Sequence, residues 1–239
     1  MPEVPTKPGP ISPPPRLILF DLDDTLCDYA GARIVRLRTA FSLALDSTES
    51  AQALDLDDLI AQSLAIHPHG TEHFPDLFRR NGIDAEGAAE IASEWYRTNR
   101  FHSLALFADA VETLDAVRRL RPARTIGMIT NGPTEVQRAK IELLDVERHV
   151  DFLLISEEFG AWKPDPSIFV EALRLGKASA DEAVFIGDSP EHDIAGAQAA
   201  GIRSIWMNRT GRKWPAEVSP PDYEARDLGE VRALLDSPR

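Results

Sequence analysis

The run Leu17-Ile18-Leu19-Phe20 is apolar throughout and stops abruptly at Asp21. A continuous apolar run this short suits a strand covered on both faces, the situation in a parallel sheet flanked by helices. Four more stretches read the same way: Thr125 to Ile129, Phe152 to Ile155, Ala183 to Ile186 and Arg203 to Met207. Between them apolar residues recur at helical spacing, as Val136/Ala139/Leu143, Ile168/Ala172/Leu175 and Ile194/Ala197/Ala200. Strands alternating with helices predict right-handed crossovers and an α/β, doubly wound parallel sheet of Rossmann-like type.

Residues 28–106 break this rhythm. Their apolar positions fall at helical spacing only: Ile34/Leu37/Phe41/Leu45, Leu56/Leu59/Ile60/Leu64, Phe74/Leu77/Phe78 and Ile91/Ala92/Trp95. They predict a small helical bundle inserted after the first strand. The expected organisation is a proline-rich, mobile tail over 1–15, an α/β core made of 16–27 and 107–239, and a helical insert over 28–106. Trp214 to Tyr223 reads as a loop, and Leu228/Val231/Leu234/Leu235 as a closing helix.

With a formal net charge of -13 over 239 residues, the surface repels a phosphate backbone, which argues against a nucleic-acid polymer as partner. A buried cationic site can still capture a small phosphorylated molecule. No apolar run has the length of a membrane span. The single cysteine, Cys27, forms no internal disulfide, and with no signal-type N-terminus the default compartment is the cytoplasm.

Reactive residues gather after the predicted strands, where an open parallel sheet forms its ligand crevice. Asp21-Leu22-Asp23-Asp24-Thr25 follows the first. Asp21 and Asp23, two apart, point the same way in extended chain, and such a pair is costly without a cation or proton between them. Thr130-Asn131-Gly132 follows the second; a hydroxyl and free N–H groups at a helix start can hold a phosphate oxygen. Lys163-Pro164-Asp165-Pro166 sets a lysine in rigid backbone ahead of a helix. Gly187-Asp188-Ser189-Pro190-Glu191-His192-Asp193 supplies Asp188 and Asp193 as oxygen ligands for a hard cation. Each cluster alone is an ordinary turn or helix cap; four in order argue for one site.

Taken together, FDLDDTL at 20–26, TNG at 130–132, KPDPSIF at 163–169 and GDSPEHDIAGAQAAGI at 187–202 resemble the motifs of the haloacid dehalogenase superfamily. The insert is similar to that family's helical cap of the first type. The resemblance implies Asp21 as nucleophile, Asp23 as general acid/base, and Thr130, Asn131 and Lys163 as phosphate binders. It implies Mg2+ held by the side chains of Asp21 and Asp188 and the carbonyl of Asp23, with Asp193 as a ligand or outer support.

The implied activity is hydrolysis of a small phosphorylated metabolite, a sugar phosphate or a nucleoside monophosphate, through an aspartyl-phosphate. A carboxylate approaching a phosphate dianion at ~4 Å meets about 4 kcal/mol of repulsion per charge pair, so cations are required. A phosphomutase using the same adduct and a 2-haloacid dehalogenase are the alternatives; halide displacement needs no acid for the leaving group, so Asp23 favours phosphoryl transfer. Substrate choice is expected from the cap, with Arg33 and Arg36 as candidates; the run His67 to His73 is another, though it reads first as a polar surface loop. Trp95 and Tyr96 read as cap core, and Cys27 as a packed side chain.

Overall fold

The computed structural model describes residues 9–46, 55–66, 73–83, 87–120 and 123–236. In chain order the elements are β1 (Leu17–Phe20), α1 (Tyr29–Asp46), α2 (Leu56–Leu64), α3 (His73–Arg80), α4 (Ala88–Thr98), α5 (Ala110–Arg119), β2 (Thr125–Thr130), α6 (Thr134–Leu144), β3 (Phe152–Ile155), α7 (Ser156–Phe159), α8 (Pro166–Gly176), β4 (Ala183–Gly187), a π-helical turn (Pro190–Ile194), α9 (Ala195–Ala199), β5 (Arg203–Met207), β6 (Tyr223–Ala225) and α10 (Leu228–Leu235). The chain forms two compact units, Met1–Asp28 with Leu106–Arg239, and Tyr29–Ala105.

The first unit is built on a six-stranded sheet in the order β3-β2-β1-β4-β5-β6, with every pairing parallel. This is the doubly wound α/β arrangement predicted. β1 lies inside the sheet and its four residues are wholly buried. Leu17 and Leu19 pack with Ile168, Phe169 and Ala172 of α8 and with Phe185, so the alternation of strand side chains sends Ile18 and Phe20 to the other layer. Each such side chain contributes about 1.5–3 kcal/mol by leaving water.

Three features depart from the sequence reading. Tyr223, expected in a loop, starts a sixth strand at the sheet edge, pairing with Ile205; Asp222 accepts from the amide of Ser204 and secures it. α5, unassigned from the sequence, packs Ala110, Thr113, Leu114 and Val117 inward. The tail expected to be mobile over 1–15 is anchored within its described part: Ile11 is fully buried and its amide donates to the carbonyl of Leu234 at 2.8 Å. An apolar side chain among prolines gains more by burial than it loses in chain entropy.

Among its described residues the second unit packs four helices, α1 to α4, around Leu37, Phe41, Leu59, Phe74 and Phe78. Phe41 meets Phe74 edge-on at 5.5 Å between ring centroids. Trp95 and Tyr96 pack, partly buried, against this core. No helix among the described residues is long and apolar enough to cross a membrane.

Candidate active site

Strand register brings the reactive residues level. Phe20 pairs with Met128 on one side and with Ile186 on the other. The next residues along the three chains, Asp21, Ile129-Thr130 and Gly187-Asp188, therefore emerge together at the carboxyl edge of the sheet. The amide of Asp21 continues the ladder, donating to the carbonyl of Ile186 at 2.9 Å. Beyond it the chain turns tightly: Asp24 takes a left-handed φ of 57°, which an aspartate tolerates, and its amide donates to the carbonyl of Cys27.

Lys163 stands at the centre. Its Nζ donates to Asp21 Oδ1 at 2.6 Å, to Asp193 Oδ1 at 2.6 Å and to the carbonyl of Ile129 at 3.0 Å. An ammonium has three donors, so all are engaged. The side chains of Lys163 and Asp193 are each 2% exposed, and that of Asp21 is 8% exposed. The Lys163 backbone is held by Asn131, whose Oδ1 accepts from the Lys163 amide and whose Nδ2 donates to the Lys163 carbonyl, both at 2.9 Å. The Asn131 side chain thus places Lys163 with one donor and one acceptor.

Asp193 reaches Lys163 because the chain before α9 widens into one π-helical turn, with the amides of Asp193 and Ile194 both donating to the carbonyl of Ser189. Its second oxygen accepts from the amide of Ser189 at 3.0 Å. Gly187 makes room: a Cβ there would lie 2.4 Å from Asp193 Oδ2. Asp188 is half-buried and faces Arg212, whose Nη2 donates to its carboxylate at 3.3 Å. The Trp206 indole N–H donates to the Asp188 carbonyl at 2.9 Å.

Asp21, Asp188 and Asp193 offer carboxylate oxygens within 4.8 Å of one another. Burial drives the Asp21 carboxyl well above the usual carboxylate range; Lys163 opposes this, while Asp193, Asp188 and Asp23 add to it. Burial likewise pushes Asp188 up to about 7, helped by Asp193. Burial alone would lower the Lys163 ammonium, but Asp193 and Asp21 outweigh it and raise its pKa. The cluster is short of positive charge. Oxygen donors, close spacing and excess negative charge are the attributes a small hard dication needs, and these residues fit magnesium.

Asp23 sits apart from the three, about a quarter exposed, and is gripped from α6. Lys140 Nζ donates to both its oxygens, at 2.9 and 2.7 Å, and Gln137 Nε2 lies 3.3 Å from Oδ2. Gln137 also joins Thr130 Oγ1 at 2.5 Å and the carbonyl of Asn131 at 2.8 Å. Cys27 is buried with its thiol 3.6 Å from Asp23 Oδ1, and burial, with Asp23 beside it, pushes its pKa far up.

Asp21, Thr130, Asn131, Lys163, Asp188 and Asp193 thus share the carboxyl edge of the sheet, and Asp23 joins Thr130 through Gln137. The sequence reading missed Lys140, Gln137 and Arg212. The stripe expected to face inward on α6 was Val136, Ala139 and Leu143, yet Leu143 is 54% exposed and the buried face is Gln137, Lys140 and Ile141. A polar pair at i and i+3 beside an isoleucine was the available signal.

The cap candidates are engaged within their own unit. Arg33 Nη2 donates to the carbonyls of Ser63 and Ile66 at 3.2 and 3.3 Å. Arg36, 4% exposed, donates to the carbonyl of Arg100 and lies 4.9 Å from the Tyr96 ring centroid. Of the run His67 to His73, only His73 is within the described residues; it is buried, with Nε2 2.8 Å from Ser63 Oγ.

The glyceraldehyde 3-phosphate phosphatase of Methanopyrus kandleri is 30% identical over 231 residues, covering 92% of this chain and 96% of that protein. A solved structure named as a 2-haloacid dehalogenase from Pseudomonas syringae is 32% identical, with a TM-score of 0.58 over 92% of this chain and 97% of that one. The magnesium-bound hydrolase YfnB of Bacillus subtilis, 24% identical, shares the fold with a TM-score of 0.74 over 94% of this chain and 100% of its own. Residues 15–201 match the haloacid dehalogenase-like hydrolase family, and with the sheet-edge geometry just described the chain belongs to that family.

Proposed function

We propose that this enzyme hydrolyses a small phosphorylated metabolite, a sugar phosphate or a nucleoside monophosphate, with Asp21 as nucleophile and Asp23 as the proton carrier. It is a phosphatase, a hydrolase of phosphoric monoesters. A carboxylate oxygen of Asp21 attacks phosphorus, the bond from phosphorus to the alcohol oxygen breaks, and Asp23 gives that oxygen a proton. Water then attacks the aspartyl-phosphate, Asp23 takes back a proton, phosphate departs and Asp21 is regenerated. The Thr130 hydroxyl and the amides of the following turn are the proposed contacts for the phosphoryl oxygens. Lys163 acts through its charge, since its donors are already engaged by Asp21, Asp193 and Ile129.

The observation that carries the metal assignment is charge balance. Asp21, Asp23, Asp188 and Asp193 face Lys140, Lys163 and Arg212, so with its carboxylates ionised, as metal binding requires, the network is negative before any phosphate arrives. Bound magnesium would supply the missing positive charge and orient the phosphoryl group. The residues proposed to hold it are Asp21, Asp188 and the carbonyl of Asp23, with Asp193 in support through Lys163 and Ser189.

A dehalogenase reading has a relative of similar identity behind it. Asp23 separates the two: halide leaves as a stable anion and needs no proton, whereas an alkoxide does. Here the chain places an aspartate and binds it with a buried lysine. The buried, unpaired Cys27 suits a reducing compartment, and the cytoplasm is the location proposed.

The test is a phosphate-release screen over triose, sugar and nucleoside monophosphates with magnesium, run beside chloride release from 2-chloropropionate. Phosphate release that stops in excess EDTA is expected. Chloride release without magnesium, and no phosphate from any monoester, would overturn the reading.

A further inference from the structure

α6 turns a polar face inward, and the purpose of that face is unexplained by packing. Lys140 is 4% exposed, and its ammonium contacts both oxygens of Asp23, a residue 117 positions earlier in the chain. Taking an ammonium and a carboxylate out of water costs several kcal/mol per ion in real proteins, and apolar side chains of similar volume in place of both partners often stabilise a site as well or better. What the pair does achieve is geometric. The terminal torsion of an aspartate is broad, so an unrestrained carboxylate spreads its oxygens over a wide arc. Lys140 pins both oxygens, and Gln137, also buried, links Oδ2 to Thr130. Each oxygen keeps lone-pair capacity for a further partner.

We infer that Lys140 is a positioning residue: it fixes the plane of the Asp23 carboxyl group so that the oxygen carrying the proton is aimed at the departing alcohol. This rests on the proposed role of Asp23 as proton donor. It makes a demand that general support of the fold does not, because a misaimed donor penalises only leaving groups that need a proton.

The experiment compares kcat/KM, which reports the steps through leaving-group departure, for two substrates with magnesium present. One is the best alkyl monophosphate of the screen; the other is acetyl phosphate, whose carboxylate leaving group needs no protonation. In Lys140→Met the alkyl substrate is expected to lose about 100-fold, the scale set by a 1 Å misplacement, and acetyl phosphate less than about threefold. Lys140→Arg, which keeps a cation, is expected to recover at least about tenfold of the alkyl loss. Lys140→Gln repeats the comparison with a polar neutral chain.

Equal losses on both substrates, or no loss on either, overturn the inference while leaving the phosphatase reading intact. Failure of both neutral variants to fold assigns the lysine to stability and overturns it too. If the wild-type enzyme cleaves no alkyl monophosphate, it is the proposed function that fails.

Discussion

Removing the central cation offers a direct measure of how the site is balanced. In Lys163→Met, the carboxylates of Asp21, Asp188 and Asp193 remain within 4.8 Å of one another without the ammonium that bridges two of them. At that spacing and an effective dielectric near 20, each ionised pair repels by about 3.5 kcal/mol. The folded protein escapes by binding a proton: neutralising one carboxylate removes two of the three repulsions. At pH 7, protonating an aspartate whose unfolded pKa is about 3.9 costs about 4 kcal/mol, less than the roughly 7 kcal/mol of repulsion it relieves, so protonation sets the scale of the loss. The variant is therefore expected to lose about 4 kcal/mol of core stability at pH 7, in the range seen when a buried ion pair loses one partner.

The sign with pH follows. The variant's folded state is expected to hold one proton more than the wild-type fold, a proton that the unfolded chain releases near pH 4, so the penalty relative to wild type grows as pH rises, by about 1.4 kcal/mol per unit. At pH 5.5 the loss is expected to shrink to about 2 kcal/mol. Urea denaturation in EDTA, read by hydrogen exchange in the peptides carrying β1 and β4, isolates the core unit from the cap. A loss that is the same at pH 5.5 and pH 7, or below about 1 kcal/mol at both, would refute the charge argument.

Three further outcomes follow from single contacts. Asp21→Asn is expected to abolish turnover while the protein stays folded by circular dichroism; activity near wild type would remove Asp21 from its role. Gly187→Ala places a methyl 2.4 Å from Asp193 Oδ2, so about 1–3 kcal/mol of stability is expected to be lost in a thermal melt, together with activity as Asp193 is pushed off Lys163. In the cap, burial and the charge of Arg33 hold His73 below its ordinary pKa, so the unfolded chain binds a proton that the folded one refuses. Cap stability is expected to fall as pH drops through about 6.5, and melts of His73→Gln between pH 5.5 and 7.5 should lose that dependence.

The sequence showed the sheet interior well for a physical reason. β1 and β4 are covered on both faces, and double burial writes itself as an unbroken apolar run. β6 escaped notice because an edge strand of three residues, with Glu224 in its middle, is held by backbone pairing and by contacts such as Asp222 with Ser204, which leave no period to read. The motif residues were legible because each sits directly after a strand or heads a helix. α6 misled for the opposite reason. Its buried face is set by what Asp23 and Thr130 require, so hydrophobic periodicity pointed to Val136 and Leu143 while Gln137 and Lys140 went inside.

That inversion ties the fold to the chemistry. A helix facing only a core would turn Leu143 inward and leave Lys140 in water, which is the cheaper arrangement by burial alone. The observed rotation exposes a leucine and buries an ammonium, and it is offset by the bonds Lys140 and Gln137 make to Asp23 and Thr130. The same trade recurs on the far side of Asp21, where Lys163 and Asp193 are buried together. Both cations are carried on loops or helices that follow strands β2 and β3, and both are directed onto the acidic turn after β1. Local propensity loses at these two positions because the carboxylates they meet come from a distant part of the chain, and a sequence pattern confined to one helix cannot encode a partner on another.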